Sequence, residues 1–330
     1  MAEAVVLGAG AWGTALALTL ANNGHATVLC GRRAAQLAAI RRSGENAAYL
    51  PGVALPAKLE LSERWTDAVR AGAVVVMAIP SRFARDMVAP LCGTIASDAT
   101  IVSVTKGVEQ DSLKTMSQML AEMAPPAKRI AVLSGPGFAA EIARGKPAAL
   151  VAAASDEAVA RNVQSLFAAR ALRIYRSSDI IGVELGGAAK NVIAIAAGVS
   201  DGLTLGSSAR AALITRGLAE LMRLASAAGG RRETMAGLAG LGDLVLTCTG
   251  ELSRNRALGL AIAHGEPLPP PHEGAPVAEG IVNARSIKLL AERLGVEMPI
   301  VAAVYRILYE AAPANAMVEA LLSRELKAEF

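Results

Sequence analysis

The chain has 330 residues, enough for about two domains and a sizeable buried core. Hydrophobic residues make up 53% against 19% charged, which excludes a disordered chain, and aromatics at 3% leave too few rings for stacking single-stranded nucleic acid. The formal charge of +4 suits an anionic small ligand or describes an ordinary surface, and no Lys/Arg run is long enough for a nucleic-acid or membrane patch.

Ala4–Leu7 reads as a strand, followed by Gly8-Ala9-Gly10-Ala11-Trp12-Gly13 and a helical stretch, Thr14–Ala21. No Asp, Glu, Lys or Arg occurs from Ala4 to Gly31, so a membrane span has to be considered. The glycines and Asn22-Asn23-Gly24 interrupt it, the apolar remainder is far shorter than the ~20 residues a span needs, and no basic segment precedes it. A soluble chain without a cleaved leader is expected. Thr27–Cys30 is a second strand and Ala34–Arg42 a helix. Ala73–Ile79 is a continuous apolar run, as in a strand buried on both faces. Thr100–Val104, Ile130–Leu133, Ala148–Ala153 and Leu172–Tyr175 read as further strands, with helices at Ser112–Met123 and Asp156–Ala168. This alternation predicts βαβ units and a parallel sheet covered on both faces. Beyond about Ser178 the strands stop. Ile181–Val199, Ala209–Ala227, Asn255–Ala263, Val277–Leu294, Pro299–Ala312 and Ala316–Leu326 read as helices, and Pro267–Pro271 as a loop. The expected fold is therefore α/β: a Rossmann-type doubly wound N-terminal domain (1–180) and an all-helical C-terminal domain (181–330). The alanine-rich helical half is a candidate homodimer face.

Cys30, Cys92 and Cys248 are odd in number and far apart, and His25, His264 and His272 are scattered. Neither a disulfide framework nor a metal site is expected, and reduced cysteines suggest the cytoplasm.

The Gly8–Gly13 segment matches GxGxxG between a strand and a helix at the start of a βαβ unit, the context of a dinucleotide-binding turn. Gly8 permits the tight turn, Gly10 the approach of a pyrophosphate, and Gly13 the packing of helix on strand. An acid that bonds the ribose hydroxyls of NAD is expected about 20 residues on. None occurs between Glu3 and Glu45, and the second strand ends in Gly31-Arg32-Arg33. Arginines there can pair with a 2′-phosphate, so NADP(H) is expected to be accepted and preferred, unless both side chains are simply solvated.

Five segments could carry chemistry. Lys106, in Val104-Thr105-Lys106-Gly107 past a strand end, can hold an anion, polarise a carbonyl or be solvated. Gly135-Pro136-Gly137-Phe138-Ala139 either brings backbone to a ligand or is a plain turn. Lys190, in Gly186-Gly187-Ala188-Ala189-Lys190-Asn191, is poised for proton transfer if buried, or snorkels to solvent. Asp243, alone in an apolar stretch, either pairs with a cation such as Lys190 or caps a helix. Ser253-Arg254-Asn255-Arg256 then offers a guanidinium fork and amides suited to a phosphate, or is surface charge.

Jointly the segments GAGAWGTALA (8–17), NAAYLPGV (46–53), VTKGVE (104–109), SGPGFAAE (134–141), GVELGGAAKNVIAIAAGVSDGL (182–203), ARAALITRGLAE (209–220), GLAGLGDLVLTCTGELSRNRALG (237–259), VAEGI (277–281) and GVEMPI (295–300) resemble the bacterial NAD(P)-dependent glycerol-3-phosphate dehydrogenases. The resemblance implies reduction of dihydroxyacetone phosphate to sn-glycerol 3-phosphate with NAD(H) or NADP(H), for glycerophospholipid synthesis. It implies that Ala11, Trp12, Arg32, Lys106, Ala139, Arg254, Val277 and Glu279 touch the cofactor. It implies that Lys106, Gly135, Gly137, Lys190, Asp243, Ser253, Arg254 and Asn255 line the substrate site, with Asn191 and Thr247 nearby and Lys190 as proton acceptor. Gly137 departs from the Ser or Thr expected there, so only backbone can serve at that position. A 6-phosphogluconate or β-hydroxyacid type of dehydrogenase and a non-catalytic dinucleotide sensor are the alternatives.

Overall fold

The computed structural model describes residues 3–124, 129–267, 278–326 and 328–329. Eight strands form one sheet: β1 (Ala4–Leu7), β2 (Thr27–Cys30), β3 (Glu60–Ser62), β4 (Val74–Met77), β5 (Thr100–Ser103), β6 (Arg129–Ser134), β7 (Ala148–Ala154) and β8 (Leu172–Ser177). Their order is 3-2-1-4-5-6-7-8. In β1, β2, β4 and β5 every residue is buried, which is why these segments read as unbroken apolar runs. The two-residue period of a strand sorts them into two core layers. Ala4 and Val6 pack with Leu16, Leu20 and Leu37, whereas Val5 and Leu7 pack with Val69, Leu91 and Met119. The first six strands follow the Rossmann order, and the reversal between β1 and β4 opens a crevice at the carboxyl ends of the strands.

The sheet departs from the all-parallel expectation at β7, which pairs antiparallel with β6. The connecting segment holds only the five-residue helix Ala139–Ala143. That helix packs on helix Ala11–Asn22, with Ala139, Ala140 and Ala143 against Ala15 and Leu18, and the chain returns beside β6 without a crossover. Strand β3 was also unforeseen. It is a three-residue edge strand with no buried residue, so it leaves no apolar run to read.

After β8 the chain is helical. Ile180–Gly202, 23 residues long, is the central helix. Gly206–Ala227, Asp243–Thr249, Arg254–Ala263, Glu279–Arg293 and Pro299–Tyr309 surround it. Asp179 caps it: its carboxylate accepts from Gly182 N at 2.9 Å, Arg231 N at 2.9 Å and Thr234 Oγ1 at 2.5 Å. Among the described residues it is the one helix long and apolar enough to cross a membrane, yet 83% of its most apolar window is buried inside the protein. A helix apolar on all sides belongs in a core. Two glycines bring the Arg254–Ala263 helix against it at backbone distance. A Cβ on Gly198 would lie 2.0 Å from the Arg256 carbonyl oxygen, and one on Gly259 would lie 2.1 Å from that of Ile195.

Candidate active site

The chain leaves β1 through Gly8, whose φ is +115°, a conformation that L side chains rarely adopt. A Cβ there would sit 2.4 Å from the Ala78 carbonyl oxygen, and one on Gly13 would sit 2.0 Å from that of Gly8. A Cβ on Gly10, by contrast, would meet nothing within 4 Å. Gly10 is the N-cap of helix Ala11–Asn22, with no side-chain cap and no acid in the first turn. The amides of that turn and the positive end of the helix are therefore left for an anion. The Ala9 carbonyl holds the turn in place, accepting from Gln36 Nε2 at 2.6 Å and Asn46 Nδ2 at 3.0 Å. Asn46 also donates to Thr14 Oγ1 at 2.8 Å.

Arg32 and Arg33 are exposed beyond the end of β2. Arg32 lies 5.9 Å from the Phe83 ring centre, and Arg33 bonds Gln36 and the Tyr49 hydroxyl. Trp12 Nε1 is buried with no protein partner, and Lys106 Nζ lies 5.8 Å from the Trp12 ring centre. An open glycine turn, a free helix start, two exposed arginines and an orphaned indole N–H together fit an anionic dinucleotide.

Behind this turn two lysines share one carboxylate. Lys106, from the loop after β5, donates to Asp243 Oδ2 at 2.6 Å and to the Gly135 carbonyl at 3.1 Å. Lys190, midway along the central helix, donates to Asp243 Oδ1 at 2.5 Å and to Thr247 Oγ1 at 2.7 Å. Lys190 is 6% exposed and Asp243 1%. Burial pushes the Lys190 ammonium down from the ordinary lysine value to about 8, and the Lys106 charge adds to this while Asp243 opposes it. Lys190 does not snorkel, and Asp243 takes two ammoniums, making no side-chain cap to its helix. Glu184 is not a partner of Lys190: its carboxylate accepts from Ser117 N at 2.8 Å and Ser117 Oγ at 2.6 Å.

The flanking residues converge on the same place. Asn255 Nδ2 donates to Asn191 Oδ1 at 2.9 Å, and Asn255 Oδ1 accepts from Gly280 N at 2.9 Å. Ser253 caps helix Arg254–Ala263, accepting from Arg256 N at 3.2 Å. Of the two arginines there, Arg256 is tied to Asp201 at 2.7 Å, while Arg254 is exposed. Glu279, in the first turn of its helix, has its carboxyl pushed up by burial and pulled down by Arg254, Lys106, Lys190 and Arg82. Gly135 has φ +131°, and a Cβ on Gly137 would lie 2.7 Å from Ile142 Cδ1, so a side chain there would have to displace Ile142. Ala139, half-buried, opens the short helix of that loop. Val277 lies outside the described residues.

Two family models match in tandem, the NAD-dependent glycerol-3-phosphate dehydrogenase N-terminus over residues 3–160 and its C-terminus over 179–319. The chain belongs to the NAD-dependent glycerol-3-phosphate dehydrogenase family. It is 48% identical to a glycerol-3-phosphate dehydrogenase (NAD(P)+) of Geobacter sp. strain M21, covering 100% of this chain and 99% of that one. It is 49% identical to that of Thiobacillus denitrificans, covering 98% and 99%. The structure of glycerol-3-phosphate dehydrogenase from Coxiella burnetii superposes with a TM-score of 0.92 at 37% identity, covering 98% of this chain and 99% of that one. The resemblance read from nine sequence segments is borne out, as are the Rossmann-plus-helical architecture and an NAD(P)-dependent oxidoreductase acting on a CH–OH group. The 6-phosphogluconate-type and sensor alternatives are not favoured. For a glycerol-3-phosphate dehydrogenase, three features of this site had no signal in residue-by-residue reading. Gln36 and Asn46 hold the glycine turn from a distance, and Asn283 stands between the two lysine segments.

Proposed function

We propose that the chain reduces dihydroxyacetone phosphate to sn-glycerol 3-phosphate, supplying glycerophospholipid synthesis, and that Lys190 is its proton donor. The observation that carries this is the buried Lys106–Asp243–Lys190 cluster beside an open dinucleotide turn. The nicotinamide cofactor, when bound, supplies the hydride for the C2 carbonyl. Gly8, Gly10, Ala11 and Gly13 would hold its pyrophosphate, with Trp12, Ala139, Arg254 and Glu279 alongside it. The Lys106 and Lys190 ammoniums stabilise the charge that develops on the ketone oxygen. Lys190 Nζ gives its proton to that oxygen in reduction and takes one back in oxidation. Asp243 and Thr247 aim Lys190, and the Gly135–Gly137 backbone closes the site.

Arg254, with Ser253, Asn255 and the start of their helix, would hold the substrate phosphate, and that remote grip positions the carbonyl. Arg254→Ala is expected to raise KM for dihydroxyacetone phosphate by about 10- to 100-fold, as for loss of a hydrogen bond to a charged group. An unchanged KM in steady-state assays would remove the phosphate contact. Arg32 and Arg33 support a preference for NADPH through the 2′-phosphate. Wild-type kcat/KM should be higher with NADPH than with NADH, and Arg32→Ala should narrow the gap. A preference for NADH in both proteins would reverse the assignment.

We also propose a division into a nucleotide domain (1–180) and a substrate domain (181–330), and a cytoplasmic location, which the free Cys30, Cys92 and Cys248 support. The function is tested by following nicotinamide absorbance with dihydroxyacetone phosphate, 6-phosphogluconate and a β-hydroxyacid. Turnover confined to the triose pair is expected, and turnover of either rival alone would overturn the proposal.

A further inference from the structure

Helix Glu279–Arg293 sends Asn283 into the seam between the Lys106 loop and the central helix. The side chain is 0% exposed. Its Nδ2 donates to the Lys106 carbonyl at 3.0 Å and to the Ala188 carbonyl at 3.0 Å. Two acceptors facing one end of the amide require the NH2 group there, so the orientation is forced. The other end, Oδ1, is buried without a partner. It lies 3.0 Å from where a Cβ on Gly107 would stand, with Ser81 Oγ nearer at 2.4 Å, so the glycine after Lys106 leaves room for both side chains. A native fold seldom keeps an orphaned buried acceptor where nothing is gained by it.

The two bonded carbonyls belong to Lys106 itself and to the residue two positions before Lys190. We propose that Asn283 is a positioning residue for the reaction: by clamping these two backbone segments together it sets the separation of the two ammonium groups that share Asp243. The inference rests on the reading of Lys106 and Lys190 given above. Several charged or titratable groups act on or are acted on by Lys190. Lys106 comes from the β5 loop, Asp243 and Cys248 from their helix, and Glu279 from the helix that bears Asn283. Of these, the clamp ties Lys106 directly. Releasing the clamp lets Lys106 retreat, weakens the like-charge repulsion on Lys190, and moves the Lys190 titration toward higher pH.

The test compares wild type with Asn283→Ala and Asn283→Ser, which keeps one donor. Reduction of dihydroxyacetone phosphate is measured from pH 6 to pH 10, beside thermal melting and reduced-nicotinamide fluorescence titration. In Asn283→Ala, kcat is expected to fall about tenfold or more, the size of effect that follows a small misplacement of reacting groups. Nucleotide affinity should stay within about twofold, and the alkaline limb of kcat should move up by about half a pH unit or more. Asn283→Ser should fall between, and it is read in the same way if the alanine variant does not fold. An alkaline limb at the wild-type position in the folded variant overturns the inference, whatever happens to stability. Absence of triose phosphate reduction by the wild type would instead overturn the reading of the site itself.

Discussion

Lys190→Ala is expected to lower kcat for dihydroxyacetone phosphate reduction by about 10²- to 10⁴-fold, the range for removal of a general acid, with KM changed only a few-fold. The sign of the pH dependence follows from the buried ammonium. Reduction needs Lys190 protonated, so kcat in that direction should fall as pH rises through about 8. Oxidation needs the neutral amine, so its kcat should rise through the same region. In Lys190→Ala both inflections should vanish. Steady-state rates in the two directions across this range decide the matter, and near-wild-type turnover in the variant would reject Lys190 as the proton carrier.

The same group leaves a mark on folding. Its folded-state pKa is below the unfolded value, so the native state binds fewer protons between about 8 and the ordinary lysine value of 10.5. The contribution of Lys190 to stability therefore rises with pH across that window and is unfavourable below it. Urea unfolding of Lys190→Met should lack this rise. Holding the proton donor in the core thus costs stability at neutral pH.

Asp243→Asn is expected to be the most damaging isosteric change in the site. The carboxylate is 1% exposed and takes both ammoniums, so its loss leaves two positive charges facing each other in the core. Removing one partner of a buried ion pair costs about 3–5 kcal/mol, and the deficit should shrink at alkaline pH as Lys190 loses its proton. Asp243 is also what opposes burial at Lys190, so the alkaline limb of reduction should move to lower pH. Urea unfolding at pH 7 and pH 10, paired with the kcat profile, separates the two effects. Unchanged stability together with an unmoved limb would show that the carboxylate does not hold the lysine pair.

Much of the fold was legible because buried strands and helices leave continuous apolar signals. Val74–Met77, buried at every residue, and the Ile180–Gly202 helix, buried over most of its length, are examples. Elements that bury little were illegible. Strand β3 has no buried residue, and helix Trp65–Ala71 buries only Val69, so neither interrupts the pattern of an exposed loop. The antiparallel turn into β7 was hidden for a different reason. The run Ala148–Ala154 is equally apolar in either direction, so it carries no local mark of whether it pairs parallel or antiparallel with β6.

The glycine turn, the alternation that builds the sheet and the apolar helical half follow from local patterns, because each is written in residues close along the chain. The lysine cluster was decided elsewhere. Lys106, Lys190 and Asp243 are separated by 53 residues or more, and nothing local makes Lys190 a buried base and not a solvated cation. Packing of the central helix removes water from Lys190, and Asp243 arrives from a different helix to balance the charge. Asn283 ties the loop of one lysine to the helix of the other. A proton affinity depends on what surrounds a group in three dimensions, so it is set by the packing of distant segments.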